Sequence, residues 1–445
     1  MTLAGRNRRH QRSRRRGVGT LIGGTAAGQL VTIAAAPILS RLYLPAEFGT
    51  FSIIFGVSVI VASVACGRLE LAIVLPEDDG DAFAVAWLAL TWLAVTTVTA
   101  AAVVLLMGGA LSTAFHRPDI QPYLISVPLL VLLIGTFAIL NQLAIRHQQY
   151  RSIAFRNFLQ QSTGSAAQVS AGWAGLGVPG LIAGSAVGQL GGVLALLRPS
   201  HLAGPASRAG LRLRGLRGQF VRYRRFPLFL APAALINNLG QQAPLLLTGL
   251  LFGTSAAGWM ALTQRVLAVP VVVVGTAVAQ VYLGALSRAA RSSIPECHSL
   301  FRRTSRRLLI IGCIGAVTTA AAAPFLFGAV FGPDWVESGR IAQAMTPYFA
   351  AQLLASPLSQ TLIVFERVLL QLVWDVLRLV AVVAPVLLCW WTGQSVVATV
   401  LALSLGGTLA YLVLWVLCWR TLTRASQEAR DRAEAAGART RPVGK

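Results

Sequence analysis

The chain has 445 residues, 55% apolar and 12% charged, and a mean hydropathy of +0.67. A soluble protein of this length carries about a quarter charged residues, so this composition excludes a soluble enzyme or binding domain and predicts an all-α polytopic membrane protein. The formal net charge of +23 would suit a nucleic acid, but the arginines cluster between apolar runs without aromatic interleaving, so no nucleic-acid partner is expected.

In chain order, residues 1–17 form a basic tail with seven arginines, too long and too basic to be a signal peptide. Apolar runs then predict spans at 18–43, 48–75, 82–108, 120–145, 151–173 and 176–197, which together make a first lobe over residues 18–197. A linker at 198–225 carries eight arginines. Further spans are predicted at 226–252, 256–285, 305–328, 338–363, 367–391 and 395–419, a second lobe over 226–419, before a basic tail at 420–445. Connections rich in arginine alternate with short ones such as LPAEFG, FGTSAAG and FGPDWVESG. The positive-inside rule puts the arginines and both termini in the cytoplasm, where they also meet anionic membrane lipids. The acidic PEDDGD at 76–81 falls on that same side, and acidic residues weigh little in the rule.

Three sequence similarities run in the same order, six spans apart: PILSRLYLPAEFGTF with PLLLTGLLFGTSAAGWM, FHRPDIQPYLI with FGPDWVESGRI, and NQLAIRHQQY with SQTLIVFERV. They predict two homologous six-helix lobes related by an axis along the membrane normal.

No Ser/His/Asp set, Walker A, HExxH or GxGxxG in strand–helix context occurs, so the expectation is no enzyme, no cofactor and no metal. The five cysteines have no metal-ligand spacing. Polar residues inside the spans are the candidates. Arg265 lies well inside span eight beside Gln264, and reads either as a phosphate-binding charge or as a structural arginine. Span seven carries Asn237, Asn238, Gln241 and Gln242, amide pairs one turn apart that suit a hydrated cavity wall or bonds between helices. Asp375 and Arg378, at i and i+3 in span eleven, read as an internal salt bridge or an ion-coupling pair. Arg41, Arg68, Glu70, Arg146, Arg151, Arg156 and Arg367 lie near span ends, where snorkelling is the default, Arg68 and Glu70 being placed several residues inside span two. Arginine outnumbers carboxylate in the spans, which suits an anionic ligand.

RLYLPAEFG followed by RLELAIVLPEDDGDA, after a Gly/Thr-rich first helix, resembles the amino-terminal pattern of the Wzx-type polysaccharide-repeat flippases of the MOP exporter superfamily. The resemblance implies two lobes around a cavity lined by spans one, two, seven and eight, and alternating access. It implies as substrate a polyprenyl-diphosphate-linked oligosaccharide for surface polysaccharide of the O-antigen or lipopolysaccharide kind, moved across the inner membrane beside polymerase and glycosyltransferase partners. Arg41, Arg68, Glu70, Gln264, Arg265 and the span-seven amides lie on those spans. A MATE-like cation-coupled antiporter and a non-transporting scaffold of an assembly complex are the alternatives.

Overall fold

The chain folds, in a computed structural model that describes residues 27–114, 118–197, 213–292 and 294–439, as helices throughout with no strand among those residues. The basic tail at 1–17 and most of the 198–225 linker lie outside the described residues. In order come α1 (Ala27–Leu42), α2 (Pro45–Ala65), α3 (Asp79–Ala114), α4 (Ser126–Arg146), α5 (Tyr150–Trp173) and α6 (Gly177–Leu196). Beyond the linker come α7 (Leu213–Tyr223), α8 (Ala231–Phe252), α9 (Thr254–Pro270), α10 (Thr276–Ser292) and α11 (Ile294–Phe331). The last are α12 (Val336–Ala355), α13 (Gln360–Val364), α14 (Val368–Trp391) and α15 (Val396–Arg439).

Apart from the amphipathic α7, these helices fall on the predicted spans one for one, with α9 and α10 joined through a π turn at Val271–Gly275 and α13 closing the α12 span. Among the described residues, eight helices are long and apolar enough to cross a bilayer, and α1 is a shorter apolar helix. Leu105, Leu106, Ile314, Val317, Phe325 and Trp391 are each more than half exposed, which only lipid makes favourable at this density. The protein is a multi-pass membrane protein.

Two boundaries differ from expectation. The apolar run 48–75 is not one helix: α2 ends at Ala65, Gly67 and Arg68 turn the chain with φ near 60°, and Leu69–Val74 form a 3-10 helix. Leu69, Ala72 and Ile73 are buried, so the apolar character of this stretch serves packing rather than spanning. Arg146 clamps the connection: Nε donates to Asp79 Oδ1 at 2.9 Å, and Nη1 donates to the carbonyls of Ile73 and Pro76 at 3.3 and 2.6 Å. With Nη2 donating to the Glu77 carbonyl at 3.2 Å, it caps four backbone and side-chain acceptors and is not a snorkelling arginine. At the other end of the chain, α15 runs on to Arg439 past the predicted span, because the polar residues there are good helix formers.

Contacts divide the chain into two units, residues 1–262 with 327–337, and residues 263–326 with 338–445. In the first, α5 and α6 pack through Gly164, Gly184 and Gly188, the small residues that let helix backbones approach in a membrane. Trp335 is 1% exposed, packs edge-on against Phe48 at 5.7 Å, and donates from Nε1 to the Ser40 carbonyl at 2.8 Å. In the second, the Thr263 hydroxyl donates to the Ser338 carbonyl at 2.8 Å, Tyr282 and Thr361 share a 2.9 Å hydroxyl bond, and Trp374 Nε1 donates to the Ala410 carbonyl at 2.6 Å.

The three repeated stretches adopt matching backbone. Pro118 and Pro333 each open a 3-10 turn with an aspartate next in sequence. Gln148 and Glu366, at equivalent positions of the third pair, both take φ 55° just beyond a helix end. The amide of each following residue turns back in the same way, Gln149 to the Ala144 carbonyl at 3.0 Å and Arg367 to the Leu362 carbonyl at 2.7 Å. Gly49 and Gly258, also equivalent, meet reciprocally at the crossing of α2 and α9. A β-carbon on Gly49 would overlap the Thr254 carbonyl, and one on Gly258 the Pro45 carbonyl. Thr254 and Pro45 are themselves the equivalent first residues of the two helices.

Candidate substrate-binding groups

The amide stripe of α8 follows a π turn at Phe226–Leu230 that carries Pro227, and it belongs to the first unit. Its members divide the work. Gln241 is exposed and its Nε2 donates to Asn237 Oδ1 at 2.6 Å, one turn back. Asn238 donates to the Ala234 carbonyl of its own helix at 2.9 Å. Gln242 is half-buried, with Oε1 lying 3.4 Å from where a β-carbon of Gly56 on α2 would stand. Asn237 and Gln241 thus form one polar ledge, while Gln242 faces the packed neighbour.

Arg68 and Glu70 are brought together, but in the connection after α2 rather than inside a span. Nη1 of Arg68 lies 3.6 Å from Glu70 Oε1, and Glu70 is 6% exposed with Oε2 accepting no hydrogen bond. Burial pushes the Glu70 carboxyl above the usual carboxylate range, against the opposing pull of Arg68. Arg41 stands apart, exposed at the end of α1.

Gln264 and Arg265 are adjacent, half-buried residues of α9 that fall in the second unit, ahead of Pro270 and the π turn. Also in that unit, Asp375 and Arg378 of α14 are 5% and 3% exposed, with Nη2 to Oδ1 at 3.4 Å. Arg378 also donates from Nη1 to the Tyr411 hydroxyl at 3.4 Å and lies 4.9 Å over the Trp374 ring. The pair sits in an aromatic box of Trp374, Tyr411 and Tyr348, an arrangement that neutralises both charges inside the apolar helix bundle.

Arg156 is the group that its place near a span end misassigns. It is 3% exposed, its guanidinium carbon stacks 4.0 Å over the Phe137 ring of α4, and one nitrogen donates to Asn157 Oδ1. One turn further, Gln160 Nε2 donates to Gln189 Oε1 of α6 at 2.9 Å. The signal was in the spacing: Arg156, Gln160 and Gly164 repeat every four residues, and a glycine used for close packing puts that whole face inside. Arg367, by contrast, is exposed and pairs with Glu428 at 3.2 Å.

A family model described as polysaccharide biosynthesis protein matches residues 38–340, more than half of the chain. The chain belongs to that family. No curated protein sequence matches this member of the polysaccharide biosynthesis proteins. Its fold is that of the MOP superfamily transporters. A lipid II flippase, MurJ, in an inward closed conformation superposes with a TM-score of 0.67 at 9% identity, over 96% of this chain and 93% of that one. An inward-facing multidrug resistance MATE transporter gives 0.63 at 13% identity, over 92% and 95%. A MOP transporter from Pyrococcus furiosus, described as having reversed binding-pocket polarity, gives 0.53 at 14% identity, over 92% and 96%. At such identities the likeness is one of fold, and the two-lobe helical architecture expected from the repeats is the one these structures share.

Proposed function

We propose that this protein is a flippase that carries a polyprenyl-diphosphate-linked oligosaccharide from the inner to the outer leaflet of the bacterial cytoplasmic membrane, for assembly of a surface polysaccharide of the O-antigen class. The observation that carries the reading is the conjunction of a polysaccharide biosynthesis family with a transporter fold. A membrane protein of such a pathway built as a transporter has an obvious cargo: the lipid-linked sugar, made on one side and polymerised on the other. Both termini face the cytoplasm in this reading, and glycosyltransferases and a polymerase are the partners on either side of the step.

Arg265 is assigned to the diphosphate, since a guanidinium fork matches phosphate oxygens with paired hydrogen bonds. The Asn237–Gln241 ledge, with Asn238, Gln242 and Gln264, is assigned to sugar hydroxyls. Arg41, Arg68 and Glu70 act on the first helices, where the Arg68–Glu70 turn gives α2 and α3 a place to change angle during alternating access. Asp375–Arg378 is assigned a structural role. A cation-coupled drug antiporter fits less well. Among the described residues the buried carboxylates are Glu70, which lies in a connection beside Arg68, and Asp375, which Arg378 already holds.

The test is a leaflet assay in liposomes carrying a fluorescent polyprenyl-diphosphate sugar on one side. Protein-dependent exposure on the other side, lost in Arg265→Ala while thermal unfolding is unchanged, is the expected result. Absence of exposure across several headgroups and imposed ion gradients refutes the flippase.

A further inference from the structure

We propose that the first unit holds a compact monovalent anion, of the halide class, against Arg156. The side chain is 3% exposed, and its Nε and Nη1 are both buried with no hydrogen-bond acceptor. Arginine stays protonated in proteins, so the positive charge is permanent. Among the described side chains, no Asp or Glu forms an ion pair with Arg156. A buried charge with no counter-charge, and with two of its three nitrogens lacking an acceptor, is among the costliest features a fold can retain. An anion at the open edge of the guanidinium removes both faults at once.

The surroundings select the kind of anion. Phe137 covers one face of the guanidinium at 4.0 Å, leaving the N–H edge as the binding side. Asn141 stands one turn from Phe137 on the same face of α4, and its Oδ1 is buried without a donor. Rotated by half a turn, that amide presents N–H groups instead, the orientation an anion would stabilise. Gln160, one turn from Arg156, supplies a further amide, and Gly192 lets Phe137 and Gln160 close over the site, since a β-carbon there would stand only 3.0 and 3.2 Å from them. A single positive charge in a site this closed balances a single negative one. A multiply charged lipid diphosphate would bury excess charge and needs an opening that a 3% exposed side chain does not offer.

The experiment is thermal unfolding of the full-length protein in detergent, with sodium bromide replacing sodium gluconate at constant ionic strength. The expected result is a saturable rise in Tm, whose apparent bromide affinity falls by about tenfold or more in Arg156→Gln. Arg265→Gln should leave the rise intact. No saturable rise in the wild type, or the same midpoint in Arg156→Gln, overturns the proposal. A rise driven by inorganic pyrophosphate but not bromide, lost in Arg156→Gln, also overturns it and assigns the residue to a diphosphate. If Arg156→Gln does not fold, crystals of the wild type soaked in bromide decide. An anomalous peak at the guanidinium edge supports the site, and no peak there at saturating bromide refutes it.

Discussion

The crossing of α2 and α9 makes a demanding test because two equivalent glycines guard it. With alanine at position 49, the new β-carbon would overlap the Thr254 carbonyl oxygen and stand 2.7 Å from the Gly258 nitrogen, where ordinary contact begins at 3.4 Å. Both neighbours are backbone, so no rotamer change relieves the overlap. The helices must separate, and a gap of about 1 Å forfeits a quarter to a half of each dispersion contact along the seam. Ile53 and Ala257 flank Gly249 on that seam and would lose contact with it. Overpacking of this kind costs about 3 kcal/mol, the upper part of the usual range. Gly258→Ala, which overlaps the Pro45 carbonyl, should cost a similar amount. Because one separation accommodates both β-carbons, the double variant should cost well under the sum of about 6 kcal/mol, a coupling of contacting sites. Gly315→Ala is the control: a β-carbon there meets nothing within 4 Å, and alanine in a helix gains up to about 1 kcal/mol over glycine. Reversible unfolding in mixed micelles measures all four. Costs below about 0.5 kcal/mol for Gly49→Ala, or strict additivity of the pair, would refute the reciprocal crossing.

Other expectations follow from single groups. Arg378→Met strands Asp375 in its aromatic box and should cost about 3–5 kcal/mol, while Asp375→Leu in the same chain should restore most of it; a double variant as unstable as the single one would contradict the structural role. Glu70 has a raised carboxyl pKa in the folded chain, so the folded state holds its proton more tightly than the unfolded one. Its contribution to stability is therefore fully present below the unfolded pKa and is lost as pH rises through the folded value; Glu70→Gln should flatten that part of the stability–pH curve, and an unchanged slope would count against it. Trp335→Phe keeps the packing on Phe48 but removes the donor to Ser40, and should lower unfolding stability by about 1–2 kcal/mol. Loss of less than about 0.3 kcal/mol would mean the Ser40 carbonyl finds another donor.

Much of this protein was legible in one dimension because the bilayer imposes a one-dimensional rule. Each span must be long, apolar and internally hydrogen-bonded, so runs such as 176–197 and 367–391 give α6 and α14 almost at their ends. The repeats were legible for the same local reason. Pro118 and Pro333, or Gln148 and Glu366, set turns through their own backbone preferences, and the matching conformations follow. Where apolar character had a second explanation, the chain alone could not choose. Leu69, Ala72 and Ile73 look like the end of a span, yet they are buried in a 3-10 helix because Gly67 and Arg68 turn the chain before them. Arg146 and Arg156 look like their neighbours at span ends. Only packing made the first a clamp on Ile73, Pro76 and Asp79, and sealed the second beneath Phe137. Periodicity fixes which face a side chain shares and hydropathy fixes the solvent of the helix as a whole. Which neighbour covers that face is a long-range contact, and it is there that a guanidinium near a helix end is either hydrated or buried.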